Sequence, residues 1–260
     1  MNEFSICSLY SGSTGNATYI RAGETELLVD AGVSATAICR ALREIGSDIS
    51  RISAILVTHE HIDHVKGLEI LAKKYRIPVH MTSASAAAMT ILPHLAQVLL
   101  LHDPDAVFSL GEVQVCSFPV PHDSVCCVGY RLNFAGQSIA IATDIGRVTR
   151  PILEQFLGTS AVVIESNHDV DLLLQNPHYP PSLKERILSG NGHLSNDFCA
   201  RFLAYLAENG TQYALLAHLS RENNTPEIAS NVLSAHLSAI PAGASFTYRV
   251  AAPTAPTRLL

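Results

Sequence analysis

The chain of 260 residues is 48% hydrophobic and 15% charged, with a formal net charge of −6. That length and apolar content suit one α/β domain with a large core and exclude a mainly disordered chain. The acidic balance excludes a general electrostatic pull toward nucleic acid, although bound dications would dominate the potential around them.

The first third reads as strands at Phe4–Leu9, Ala17–Arg21 and Glu26–Val29. They are separated by the glycine-bearing turns Ser11-Gly12-Ser13-Thr14-Gly15-Asn16 and Ala22-Gly23. A helix is expected over Ser34–Ile45, stopping at Gly46. Ala54–His59, Pro78–Thr82 and Val98–His102 read as strands with helices between them, one of these over His64–Tyr75 with Asp63 as its N-cap. Val113–Val120, Val128–Phe134 and Ser138–Thr143 form a meander with turns near Asp123 and Gly136. Thr149–Leu157 is a helix and Ala161–Glu165 a buried strand. Asn167–Gly192 is expected to hold two short helices. Then come a helix over Ser195–Glu208 capped by Ser195, a strand over Tyr213–His218, a helix over Pro226–Ala239 and a strand over Ser245–Val250. Long β runs in each half with helices interspersed predict two packed sheets covered by helices, a single α/β domain over residues 1–260 with residues 252–260 frayed. No apolar run is long enough for a membrane span, and Met1-Asn2-Glu3-Phe4 lacks the basic region and apolar core of a signal peptide, so a cytoplasmic protein with no membrane partner is expected. The six cysteines form no CxxC pair and read as small core residues of a reducing compartment.

Chemistry concentrates in Thr58–Leu68 (THEHIDHVKGL), which carries His59, His61, Asp63 and His64. No regular element puts all four on one face, because a strand aligns 59, 61 and 63 and throws 64 to the other side. They converge only where a strand ends near His59 and a helix starts near Asp63. Three imidazoles and a carboxylate meeting there are ordinary ligands for zinc or another divalent ion. Four further apolar strands end on polar residues: His122, Asp144, Glu165-Ser166-Asn167-His168 and His218. Read singly, His122 is a turn histidine, Asp144 a cap and His218 a strand end. Read in order, they supply a two-metal site. One ion would take His59, His61 and His122, and the other Asp63, His64 and His218. Asp144 would bridge them, because a carboxylate has two oxygens to share. His80, His94, His102, His178 and His236 read as surface or core histidines.

This order of motifs resembles the metallo-β-lactamase fold superfamily across almost the whole chain. The finer match is to its YycJ/WalJ (VicX-type) subgroup. The residues that carry it are Ser11–Asn16, Val29-Asp30-Ala31-Gly32, Thr58–Leu68, Val128-Gly129-Tyr130, Thr143-Asp144-Ile145-Gly146, Glu165-Ser166-Asn167-His168-Asp169, Gly192-His193-Leu194-Ser195-Asn196 and His218-Leu219-Ser220-Arg221-Glu222-Asn223-Asn224. The resemblance implies a four-layer αββα sandwich with a dinuclear site at one sheet edge. It implies metal-dependent phosphodiester hydrolysis, with 5′-to-3′ exonuclease action on DNA as the subgroup's activity. Cys126-Cys127 departs from the subgroup, which more often has small, acidic or proline residues there.

The chemistry expected is attack on phosphorus by a hydroxide bridging two divalent ions about 3.5–4 Å apart, zinc or manganese with iron fitting the same donors. Asp63 would hold that hydroxide as well as one ion. His193, just before the Ser195 cap, is the candidate general acid or phosphate ligand, because its ring and the helix's free amides could face one anion. It is similar in placement to the histidine before the final ligand in the superfamily's tRNA 3′-processing nucleases. His168, Ser13 and Asn16 are candidate substrate contacts, and Asp30 would accept a ligand histidine's ring N–H. Two other readings stay open. A thioester or lactone hydrolase of the glyoxalase II type would keep the same metal core, though no appended helical domain fits after His218. A non-catalytic partner-binding protein would be marked by lost ligands, and none is lost.

Overall fold

Alternation of apolar residues along the strands, with helical periodicity between them, builds two packed sheets. The computed structural model describes residues 4–260. In chain order its strands are β1 (Phe4–Tyr10), β2 (Ala17–Ala22), β3 (Thr25–Val29), β4 (Ile52–Leu56), β5 (Val79–Thr82), β6 (Leu99–His102), β7 (Val107–Leu110), β8 (Val113–Pro119), β9 (Val128–Phe134), β10 (Gln137–Ala142), β11 (Ala161–Glu165), β12 (Tyr213–Ala217), β13 (Thr247–Val250) and β14 (Thr257–Arg258). The helices are α1 (Ala35–Glu44), α2 (Ile62–Val65), α3 (Leu68–Tyr75), α4 (Ser83–Ala87), α5 (Pro93–Ala96), α6 (Arg150–Phe156), α7 (Val170–Gln175), α8 (Pro181–Leu188), α9 (Asn196–Glu208) and α10 (Pro226–Ser238). Among the described residues the strands form two seven-stranded sheets, ordered β14-β1-β2-β3-β4-β5-β6 and β13-β12-β11-β10-β9-β8-β7.

The pleat sorts side chains between layers. Leu27 and Val29 of β3, Val163 of β11 and Leu215 of β12 meet between the sheets. Their neighbours point outward: Leu28 packs under α1 and α3, and Val162, Ile164 and Leu216 pack under α9 and α10. The result is the αββα layering expected from the sequence. Strands β3 to β6 run parallel, as do β10 to β13. Their C-terminal ends therefore lie at one rim of each sheet, where loops can gather polar groups. No helix among the described residues is long and apolar enough to cross a membrane.

Three expectations need correction. The helix foreseen over His64–Tyr75 is two helices, α2 and α3, with Gly67 between them. The cause is a close backbone approach. Gly67 N–H donates to Ala31 O at 2.7 Å, and Ala31 N–H to His64 O at 2.8 Å. A Cβ on Gly32 would sit 1.5 Å from Asp63 O, so only glycine lets the two segments touch. Asp63 is consequently inside the first turn of α2 rather than its cap; His61 takes the cap position, and His64 N–H donates to His61 O at 2.9 Å. Finally, residues 252–260 are not frayed. β14 pairs antiparallel with β1 through Cys7–Arg258 and Ser8–Thr257, and Ser5 Oγ donates to Leu260 O at 3.0 Å. Edge strand β7 was not foreseen either; it pairs with β8.

Candidate metal centre

The strand ends deliver the polar residues to one place. Asp30 follows β3, Asp144 follows β10 and His218 follows β12, and all three hold positive φ (64°, 58° and 55°). Left-handed backbone is costly for residues with a Cβ and persists where the surroundings impose it, often at functional sites. Here it turns each chain sharply off its strand.

His59, His61 and His122 form one group, with ring centroids 4.5 Å (59–61), 5.1 Å (59–122) and 5.2 Å (61–122) apart. Asp63, His64 and His218 form a second, with Asp63 Oδ2 3.6 Å from His64 Nε2 and 3.9 Å from His218 Nε2. Asp144 reaches both. Its Oδ1 lies 3.6 Å from His122 Nε2 and 3.6 Å from His218 Nε2, and its Oδ2 lies 3.2 Å from His64 Nε2. Within each group, potential ligand atoms lie inside 4.8 Å of one another. The buried atoms His59 Nε2, His218 Nε2 and Asp144 Oδ2 have no hydrogen-bond partner among the described residues. Orphaned buried donors and acceptors are costly, so this cluster of imidazoles and carboxylates fits divalent cations by its chemistry as well as its spacing.

Carboxylates govern the charge. Burial pushes the His64 imidazole down, but Asp30 and Asp144 beside it carry it up to about 10. Burial likewise opposes charge on His218, yet Asp144, Asp63 and Glu165 raise it well above the ordinary value. Burial and the neighbouring His64 hold His59 well below it. Burial would keep Asp144 protonated, but His218 and His64 drive it well below the carboxylate range. A divalent cation supplies the same positive charge that these protons supply.

Around the imidazoles, polar partners set orientation. Asp30 Oδ2 accepts from His64 Nδ1 at 2.8 Å, and its Oδ1 from Thr58 N–H at 2.8 Å. Thr58 Oγ1 lies 3.0 Å from His59 Nδ1. His122 Nδ1 donates to Gly192 O at 3.3 Å. Asn16 is buried against the cluster rather than facing an open cavity: its Oδ1 accepts from Gly12 N–H at 2.9 Å and its Nδ2 lies 3.1 Å from His64 Nε2. Ser13 is exposed and lines a cavity of about 150 Å³ with Asn167, His193 and His218. Cys127 is buried, with Sγ 3.8 Å from His59 Nδ1; Cys126 O accepts from Ser85 Oγ at 2.8 Å. His80 and His102 lie apart from the centre, bonded to each other at 2.8 Å.

One residue central to this geometry escaped the sequence reading. Glu165 is fully buried at the end of β11, and in the sequence it stands out only as the start of the Glu165-Ser166-Asn167-His168 stretch. Its Oε1 accepts from His193 Nδ1 at 2.8 Å and from His218 Nδ1 at 2.7 Å. Its Oε2 accepts from Ile145 N–H at 2.7 Å and Leu194 N–H at 2.9 Å. The available signal was an acidic side chain ending an otherwise apolar buried strand, since a charge there needs several partners. Burial pushes Glu165 up, but His193 and His218 hold it down to about 2. In return, Glu165 raises His193 against the effect of its own burial. His168 is buried nearby, with Nδ1 3.3 Å from Asn167 Oδ1.

An αββα sandwich with clustered His and Asp at the rims of its parallel strands is the metallo-β-lactamase architecture. The family described as Beta-lactamase superfamily domain matches residues 25–219, and the chain belongs to it. Its full-length relatives are narrower. It is 38% identical over 265 residues to exodeoxyribonuclease YycJ of Bacillus anthracis, covering 99% of this chain and 98% of that protein. It is 34% identical over 251 residues to exodeoxyribonuclease WalJ of Streptococcus pneumoniae serotype 2, covering 95% and 93%. In structure it superposes on the metallo-β-lactamase fold protein YhfI of Bacillus subtilis with a TM-score of 0.70 at 14% identity, over 98% of each chain.

Proposed function

We propose that this protein is a metal-dependent phosphodiesterase that degrades DNA in the cytoplasm as a 5′-to-3′ exonuclease. The observation that carries this reading is the near-complete overlap, 99% of this chain and 98% of the relative, with a protein named exodeoxyribonuclease. The intact cluster supports it: no position of the His-x-His-x-Asp-His, His, Asp, His series is missing.

His59, His61 and His122 would hold one divalent ion, Asp63, His64 and His218 a second, and Asp144 would reach both. Zinc and manganese suit these donors, and iron fits them too. Ions held there would supply a lowered pKa for water and a positive charge to offset that building on phosphoryl oxygens. Asp63 retains a solvent-facing edge, its side chain 21% exposed, so its carboxylate can accept a hydrogen bond from the attacking water and orient it. His193 commits Nδ1–H to Glu165, which leaves Nε2 for the substrate. Burial opposes charge on the His193 ring but Glu165 favours it, so a proton held on Nε2 could pass to the departing oxygen. Ser13 lines the cavity that His193 and His218 share, a place to contact the phosphate backbone.

The test is digestion of end-labelled single- and double-stranded DNA and RNA by protein reconstituted with zinc or manganese, beside a thioester assay. Mononucleotides released from the 5′ end of DNA are expected. Thioester cleavage without DNA cleavage would overturn the proposal.

A further inference from the structure

Beside the metal centre lies a larger space of different character. A cavity of about 450 Å³ is walled by Val170, Leu188, Leu194 and Phe198, with Arg147 and His168 at its polar points. His193 lines both this cavity and the smaller polar one that contains His218. Phe198, on the first turn of α9, is 62% exposed, so it offers apolar surface that a bound group would gain by covering.

His168 adds an independent sign. It is 1% exposed and its Nε2 has no partner among the described residues. The state of that nitrogen follows from its neighbours. Asn167 Nδ2 donates to His218 O at 2.9 Å, which fixes the amide so that Oδ1 faces His168 Nδ1. An amide oxygen only accepts, so Nδ1 carries the proton. Burial holds the ring down to about 4, and a neutral imidazole protonated on Nδ1 leaves Nε2 as a bare acceptor.

We infer that this cavity is a nucleobase subsite, in which the base next to the reacting phosphate stacks on Phe198 and donates a ring or amino N–H to His168 Nε2. The inference rests on the phosphodiesterase reading and goes beyond it by naming where a base would sit. Each of the four DNA bases has a π-face and at least one N–H on its pairing edge, so the subsite accepts all of them. A base must leave its stack to reach such a pocket, and apolar walls with one acceptor replace what it loses.

The test is calorimetry on manganese-loaded protein with 2′-deoxyadenosine 5′-monophosphate and with 2-deoxyribose 5-phosphate, which lacks the base. The nucleotide is expected to bind at least about tenfold more tightly, which falls within the usual range for base–aromatic stacking. Phe198→Ala should remove most of that difference and leave the sugar phosphate unchanged, while Phe198→Trp should keep it. Circular dichroism checks that both variants fold, as the exposure of Phe198 predicts. Equal binding of the two probes by wild type, or equal weakening of both by Phe198→Ala, overturns the subsite. DNA digestion measured in parallel separates the two readings. A base preference without DNA cleavage would sustain the subsite and overturn the phosphodiesterase assignment.

Discussion

Glu165 Oε1 accepts a hydrogen bond from His193 Nδ1 at 2.8 Å. The carboxylate thereby sets the tautomer of the ring proposed as proton donor and, against its burial, favours the charged form. Glu165→Gln removes that charge, so His193 should titrate at lower pH. Activity that needs protonated His193 is lost as pH rises through its folded pKa; in the variant that loss should begin earlier. At pH 8 turnover on DNA should fall by about 10²-fold, the lower range for losing an acid catalyst. A pH–rate profile superposing on wild type would separate Glu165 from proton transfer.

Removing the donor itself gives a sharper contrast. His193→Ala should lower turnover on DNA by about 10²–10⁴ while metal content stays near wild type. A nitrophenyl phosphodiester, whose leaving group needs little protonation, should lose far less. Elemental analysis and the two rates decide. Metal lost in step with activity would make His193 a ligand, and equal losses on both substrates would point to phosphate binding.

Asp63 and Asp144 should differ. Asp144 is 2% exposed and touches both imidazole groups, so Asp144→Ala should strip both ions. Asp63→Ala should abolish nearly all hydrolysis with the fold intact, because Asp63 faces the site's open edge. Metal stoichiometry beside circular dichroism reads both. Full turnover by Asp63→Ala with bound metal would remove its proposed role.

Away from the centre, His80 stacks on Phe108 with ring centroids 4.8 Å apart and lies 2.8 Å from His102. Burial, then the neighbouring His102, lowers His80 to about 4. The unfolded chain binds this proton near pH 6.5 and the folded chain only near 4, so stability present above pH 6.5 is lost as pH falls through that window. After discounting for solvent screening, the contribution is about 1–2 kcal/mol. Denaturant titrations at pH 7 and pH 4.5 should show His80→Leu losing less stability on acidification than wild type. Identical losses would place the titration elsewhere.

Much of this protein is legible locally. Strand alternation, glycine turns and the His and Asp residues at strand ends report on neighbours a few positions apart, and these determine the two-sheet class and the order in which candidate ligands leave the strands. What the sequence could not determine depends on backbones meeting across long separations. Glu165 reads as an acid after an apolar run, and only the parallel pairing of β10, β11 and β12 sets it between His193 and His218, 28 and 53 residues away. Asp63 reads as a helix cap, and contact with Gly32 moves it into the first turn instead. Residues 252–260 read as a frayed tail, and the open edge of β1 pairs Thr257 and Arg258 into a strand. In each case the deciding energy is a hydrogen bond or a steric limit between segments distant in the chain, which no local pattern encodes.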